Sequence, residues 1–269
     1  MNRTVTPVFG QGKYVPPQPI RLLNRQWPDR TISRVPRLAS VDLRDGNQAL
    51  PDPMTPQQKL EYFQMLVRIG FKEIEVSFPS ASQADFDFVR LLINGGYIPD
   101  DVTITVLTQC REDLIRRTLE SLRGVRSAVV HAYIATSDLH MTKVFNRSPQ
   151  QVIEQAVAAT QLISRLADEL IANGSVINYQ FSPEEFTDTD PDFALEICQA
   201  VFAAWGKATP DFPMIMNLPA TVERRPANQV ADMFEYFCWH FPQRQSIIVS
   251  AHPHNDQGMA MASAELAVD

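Results

Sequence analysis

The sequence predicts an α/β protein of the TIM (β/α)8-barrel type, truncated after strand seven and preceded by an extended N-terminal arm. Three observations carry this expectation. Short apolar, β-branched runs alternate with longer segments of helical spacing, the alternation repeats about every 35 residues, and the first run lacks a glycine-rich phosphate turn. Alternation of this kind builds βαβ units and a parallel sheet. The first run closes on Leu43-Arg44-Asp45-Gly46-Asn47-Gln48 rather than G-x-G-x-x-G, which disfavours a dinucleotide-binding sheet and leaves the barrel.

Residues 1–36 form the arm, a Pro-rich N-terminal extension with Pro7, Pro16, Pro17, Pro19, Pro28 and Pro36 and no sustained periodicity. Residues 37–269 are expected to form the barrel domain. Its strands are expected at Leu38–Asp45, Lys72–Pro79, Thr103–Cys110, Ser127–Ala135, Val176–Pro183, Met214–Ala220 and Ser246–Ala251. Between them, Thr55-Pro56, Ser148-Pro149 and Asp190-Pro191 each put an N-cap residue before a proline at the first helical position, where the missing N–H costs nothing. Gly70, Gly95 and Gly174 mark helix C-termini, and Leu60, Phe63 and Val67 stripe one face of the first helix. Met233, Phe234, Phe237 and Trp239 read as core at helical spacing. The last segment, Gly258–Asp269, reads as the helix after strand seven. Eight full units would run to about position 318, so an eighth βα unit is expected to be missing.

The formal charge of -7 argues against a nucleic-acid binder or a protein held on anionic lipid. Cys110, Cys198 and Cys238 have no CxxC spacing and suit a reducing, cytoplasmic setting. Neither a membrane helix nor a signal peptide is expected. No G-x-S-x-G elbow, P-loop or Cys/His nucleophile supports acyl-enzyme or phosphoryl-transfer chemistry.

A barrel carries its chemistry at the C-terminal ends of its strands. Polar residues collect there: Arg44 and Asp45, Glu75, His131 and Tyr133 at the opening of strand four, Ser182 and Glu184, Asn217 and Thr221, and His252-Pro253-His254-Asn255-Asp256. His252 and His254, at i and i+2, share a face and can converge on one ion. The bland reading is a pair of solvated loop histidines. Asp45 can complete the site if strands one and seven meet; otherwise it is a cap or the ion-pair partner of an arginine. Two imidazoles and a carboxylate leave coordination positions open and suit Mg, Mn or Zn. The same set also occurs in non-haem Fe(II) oxygenases, which rank lower here. Arg44 can stabilise charge on a developing oxyanion, pair with Glu75, or do both. Glu184 is a candidate acid/base or orienting carboxylate, with Glu185 beside it facing solvent. His131 is otherwise a satisfied core histidine; His140 and His240 carry no assignment.

Ser40-Val41-Asp42-Leu43-Arg44-Asp45-Gly46-Asn47-Gln48-Ala49-Leu50, Glu73-Ile74-Glu75-Val76-Ser77-Phe78-Pro79, Asn217-Leu218-Pro219-Ala220-Thr221-Val222-Glu223 and His252-Pro253-His254-Asn255-Asp256 together resemble the 2-isopropylmalate synthase family in its long bacterial form, from about Pro28 onward. The resemblance implies a Claisen-type condensation in leucine biosynthesis. Acetyl-CoA loses a methyl proton, the enolate attacks the keto carbon of 2-ketoisovalerate, and thioester hydrolysis releases 2-isopropylmalate and CoA. It implies Asp45, His252 and His254 as metal ligands and Arg44 and Glu184 as catalytic residues. Thr221 would bind the keto acid carboxylate, and Leu107, His131, Tyr133, Ser182, Asn217 and Pro219 would wall its pocket. A divalent metal, a monovalent cation as activator, and a homodimer in the full-length form, helped by the arm, are further implications.

Two departures stand out. Gln257 occupies the place of the family's usual arginine, removing a positive charge. The eighth strand, with its metal-site asparagine, the His and Tyr of the following subdomain, and the leucine-binding domain have no counterpart here. Related readings are homocitrate and citramalate synthases, or a non-catalytic truncated fragment that binds metal weakly and turns over little. Lys143 and Arg147 are candidates for CoA contacts.

Overall fold

Seven parallel strands pair strictly in chain order, β1 to β7, in a computed structural model that describes residues 18–268. They are β1 Ala39–Ser40, β2 Glu73–Ser77, β3 Thr103–Gln109, β4 Ser127–Ala135, β5 Val176–Glu184, β6 Met214–Ala220 and β7 Ile247–Pro253. Helices α1 Pro56–Ile69, α2 Gln83–Asn94, α3 Glu112–Ser121, α4 Pro149–Ala172, α5 Pro191–Trp205, α6 Ala227–His240 and α7 Ala260–Val268 follow the strands in turn. Pro7, Pro16, Pro17 and Asp269 lie outside the described residues.

The punctuation works as the residue types require. Thr55 Oγ1 accepts the Gln58 N–H while the Gln58 side chain accepts the Thr55 N–H, and Ser148 and Gln151 repeat this reciprocal cap. Asp190 caps α5 through the Asp192 and Phe193 N–H groups. Gly70 closes α1 at φ +113, where a side chain would be strained.

The pleat gives the sheet two unlike faces. In parallel strands, paired residues project to the same side. Ile104, Val106, Val130, Ala132, Tyr179, Phe181, Met216 and Leu218 lie on one side, all buried in the core that the helices cover. Tyr179 meets Trp205 of α5 at 5.0 Å between ring centroids, and Phe186 packs edge-on against Phe234 and Phe237 of α6. The opposite parity gives Leu107, Gln109, His131, Tyr133, Gln180, Ser182, Glu184, Asn217, Pro219 and His252. That face is polar and holds nearly all the residues selected from the sequence.

Three local expectations need correction. The first strand keeps only Ala39–Ser40; Asp42–Gly46 instead forms a π-helical turn in which the Val41 carbonyl accepts from the Arg44, Asp45 and Gly46 N–H groups. Fully buried Leu43 anchors this turn, and the Ser40 hydroxyl bonds Asp42. His131 lies at the centre of β4, not at its opening. Trp239 is 42% exposed, whereas Met233, Phe234 and Phe237 are core.

Residues 18–36 lie partly along α6. Arg25 and Trp27 both bond the buried carboxylate of Asp232, Trp27 Nε1 at 2.9 Å, and Arg225 Nη1 donates to the Gln18 carbonyl at 2.9 Å. A cavity of about 320 Å3, lined by Leu38, Ile69, Phe71 and Glu73 among others, opens at the N-terminal ends of β1 and β2, away from the polar strand ends.

Candidate metal centre

Curling of the sheet brings the turn after β1 against the end of β7, although the two strands are not hydrogen-bonded to each other. Asp45 Oδ2 lies 3.0 Å from His252 Nε2 and 3.6 Å from His254 Nε2. Among the described residues these three form the one cluster of His, Cys, Asp or Glu donors able to hold a metal, with all ligand atoms within 4.8 Å of one another. The sequence expectation that strands one and seven meet is therefore realised by a turn rather than by a strand end.

The donor set fits a cation. His254 Nδ1–H donates to the Thr221 carbonyl at 2.7 Å, which aims Nε2 toward Asp45, the usual way a protein orients an imidazole ligand. Asp45 is held well below the usual carboxylate range, first by its bonds to His252 and His254 and further by Arg44, so it is ionised.

A buried polar chain runs from this cluster across the inner face. Arg44 donates through Nη1 to Asp45 at 2.7 Å and through Nε to Glu75. Burial opposes its charge, but Glu75 and Asp45 outweigh burial and keep it cationic. Burial likewise raises Glu75, yet Arg44 and His131 bring it down to about 2. His131 Nδ1 lies 2.6 Å from Glu75, and a carboxylate only accepts, so Nδ1 carries the proton. Burial lowers the His131 pKa, and the neutral ring accepts from the Ser182 hydroxyl through Nε2 at 2.7 Å. Ser182 in turn accepts from Asn217 Nδ2 at 2.8 Å. The structural roles expected for Arg44 and His131 are both present: Arg44 is ion-paired with Glu75, and His131 is a buried histidine with both ring nitrogens bonded.

Tyr133 bonds Gln109 at 2.8 Å and packs edge-on to Phe78. Leu107 is paired with His131, and Pro219 with His252. Glu184 ends β5, its carbonyl accepting from Thr136 N and Oγ1, both at 3.0 Å. Burial and then Glu185 raise its carboxyl above the ordinary range. Lys143 and Arg147 are exposed on the β4–α4 connection.

Two features escaped the sequence reading. Glu185, expected to face solvent, is 8% exposed and bonds Ser137 and His140. Glu223 accepts from the Gln257 and Met259 N–H groups, and its own N–H donates to Asp256 at 2.9 Å, so it ties the ends of β6 and β7 together. Gln257 Nε2 donates to the Glu223 carbonyl, a neutral clamp in the position of the arginine. Glu185 beside Glu184, and Glu223 at the end of its motif, carry no periodic or spacing signal that reveals these distant contacts.

A family model described as HMGL-like matches residues 35–269. The chain belongs to the HMGL-like family. It is 54% identical over 256 residues to a 2-isopropylmalate synthase of Ralstonia nicotianae, covering 95% of this chain and 44% of that protein. A 2-isopropylmalate synthase of Saccharomyces cerevisiae is 52% identical, with 94% and 41% covered. The chain thus spans less than half the length of the curated relatives it matches. The HMG-CoA lyase of Brucella melitensis shares the fold at TM-score 0.61 and 18% identity, over 86% of this chain and 76% of that one. This HMGL-like chain has no described helix long and apolar enough to cross a membrane.

Proposed function

We propose that this chain supplies the metal and keto acid half of a 2-isopropylmalate synthase, which condenses acetyl-CoA with 2-ketoisovalerate to 2-isopropylmalate and CoA in a cytoplasmic setting. The observation that carries the reading is the convergence of Asp45, His252 and His254 beside Arg44 on the polar inner face, in a chain 54% identical to a protein of that name.

Asp45, His252 and His254 would hold a divalent cation, Mg, Mn or Zn, which when bound would supply Lewis-acid polarisation of a carbonyl. Arg44, fixed by Glu75, offers positive charge to the oxygen that becomes anionic as the new C–C bond forms. The Thr221 hydroxyl accepts from the Glu185 N–H at 2.9 Å, which leaves its proton to donate to the keto acid carboxylate. His131, Ser182 and Asn217 hold one another in register and, with Leu107, Tyr133 and Pro219, wall the branched side chain. Glu184, whose carboxyl binds its proton more tightly than usual, holds or moves a proton near the reacting carbon.

Titration of 2-ketoisovalerate, pyruvate and 2-oxoglutarate into the Mn2+-loaded chain tests the substrate. Tightest binding of 2-ketoisovalerate is expected; preference for 2-oxoglutarate or pyruvate would shift the reading to a homocitrate or citramalate synthase.

A further inference from the structure

Glu185 has φ +63 and ψ +35, a left-handed conformation that a side chain normally avoids and that persists only where the surroundings enforce it. Here each polar group of the residue is committed. Its N–H donates to Thr221 Oγ1 at 2.9 Å, and its carbonyl accepts from Thr189 Oγ1 at 2.9 Å. One carboxylate oxygen, Oε2, accepts from both the Ser137 hydroxyl and His140 Nδ1–H, the latter at 2.6 Å. Ser137 and His140 belong to the β4–α4 connection, whose π-helical turn spans His140–Phe145. The His140 ring also leans on Phe145, with ring centroids 5.8 Å apart.

The left-handed Glu185 lies between the end of β5 and the short helix Phe186–Asp188, and the two adjacent carboxylates meet different surroundings. The same peptide unit claims the acceptor side of the Thr221 hydroxyl, and so sets where its proton points. A buried carboxylate needed only for stability would not require a strained backbone shared with two candidate site residues.

Resting on the function proposed above, we propose that Glu185 and His140 are a positioning pair. The bond from the β4–α4 connection holds Glu185 in its left-handed turn, and that turn aims Glu184 and the Thr221 hydroxyl at the keto acid. Neither residue touches substrate; both act through their neighbours. The β4–α4 connection is thereby tied to the keto acid pocket.

The test compares His140→Phe, which keeps an aromatic ring but removes the donor, with His140→Asn, whose amide can replace Nδ1–H. Two readouts are taken on the full chain: calorimetric binding of Mn2+ and then 2-ketoisovalerate, and hydrogen exchange of residues 136–148. His140→Phe is expected to weaken 2-ketoisovalerate binding and to speed exchange, each by about tenfold, with Mn2+ affinity kept, and His140→Asn to restore both. The pair is refuted if the phenylalanine variant changes keto acid binding by less than about threefold, or if asparagine is no better than phenylalanine. Should the unmodified Mn2+-loaded chain bind no keto acid, the function proposed above fails instead. Exchange then decides only whether His140 holds Glu185 in its turn: faster exchange in the phenylalanine variant with rescue by asparagine upholds that tie, its absence overturns it, and the aiming of Glu184 and Thr221 at a keto acid falls with the function.

Discussion

Arg44 sits between two carboxylates, and its position explains why the site can hold charge away from water. Removing one member of a buried, bonded charge cluster costs more than the pair contributes, because the remaining charges are left without full compensation. Glu75→Gln is therefore expected to destabilise the fold by about 3 kcal/mol at neutral pH, measured by urea denaturation. The pH dependence has a definite sign. The folded pKa of Glu75, about 2, lies below its unfolded value, so the unfolded chain binds the extra proton. Stability from this group is present above about pH 4.5 and disappears as pH falls toward about 2. Glu75→Gln should flatten that part of the acid limb; an unchanged limb would show that Glu75 is not ionised in the fold.

At the scale of elements, helix starts follow from proline and cap chemistry, and single substitutions should report it. Thr55→Ala removes one half of a reciprocal cap and is expected to cost about 1 kcal/mol in thermal or urea unfolding. Much of the fold was legible for such reasons: β4 and β6 occupy the expected Ser127–Ala135 and Met214–Ala220, and Thr55, Ser148 and Asp190 cap the helices they precede. The convergence of His252 and His254 was legible because two-residue periodicity puts them on one face. What was hidden depends on contacts between distant segments. Ser40-Val41-Asp42-Leu43 reads as strand because it alternates, yet bonds to the Val41 carbonyl wind Asp42–Gly46 into a turn. Glu185 reads as exposed because nothing local shows that Ser137 and His140, from another loop, will cover it.

For the whole molecule, the arm and the metal cluster join parts of the chain far apart in sequence. Asp232 of α6 holds Arg25 and Trp27. Asp232→Ala should free residues 18–34 and speed tryptic cleavage after Arg25 or Arg30, while cleavage unchanged from the parent would mean other contacts hold the arm. Asp45 follows β1 and His252 lies at the end of β7, so a cation held by both would tie together the outermost strands of the described sheet. If the proposed function holds, the keto acid binds through this cation. Calorimetric titration of Mn2+ and then 2-ketoisovalerate tests it most directly, on the parent chain and on Asp45→Asn/His254→Ala. One Mn2+ per parent chain is expected, with an affinity loss of at least about tenfold in the double variant and keto acid binding that vanishes with EDTA. Equal Mn2+ affinity in the two proteins, or keto acid bound as tightly in EDTA, would contradict it.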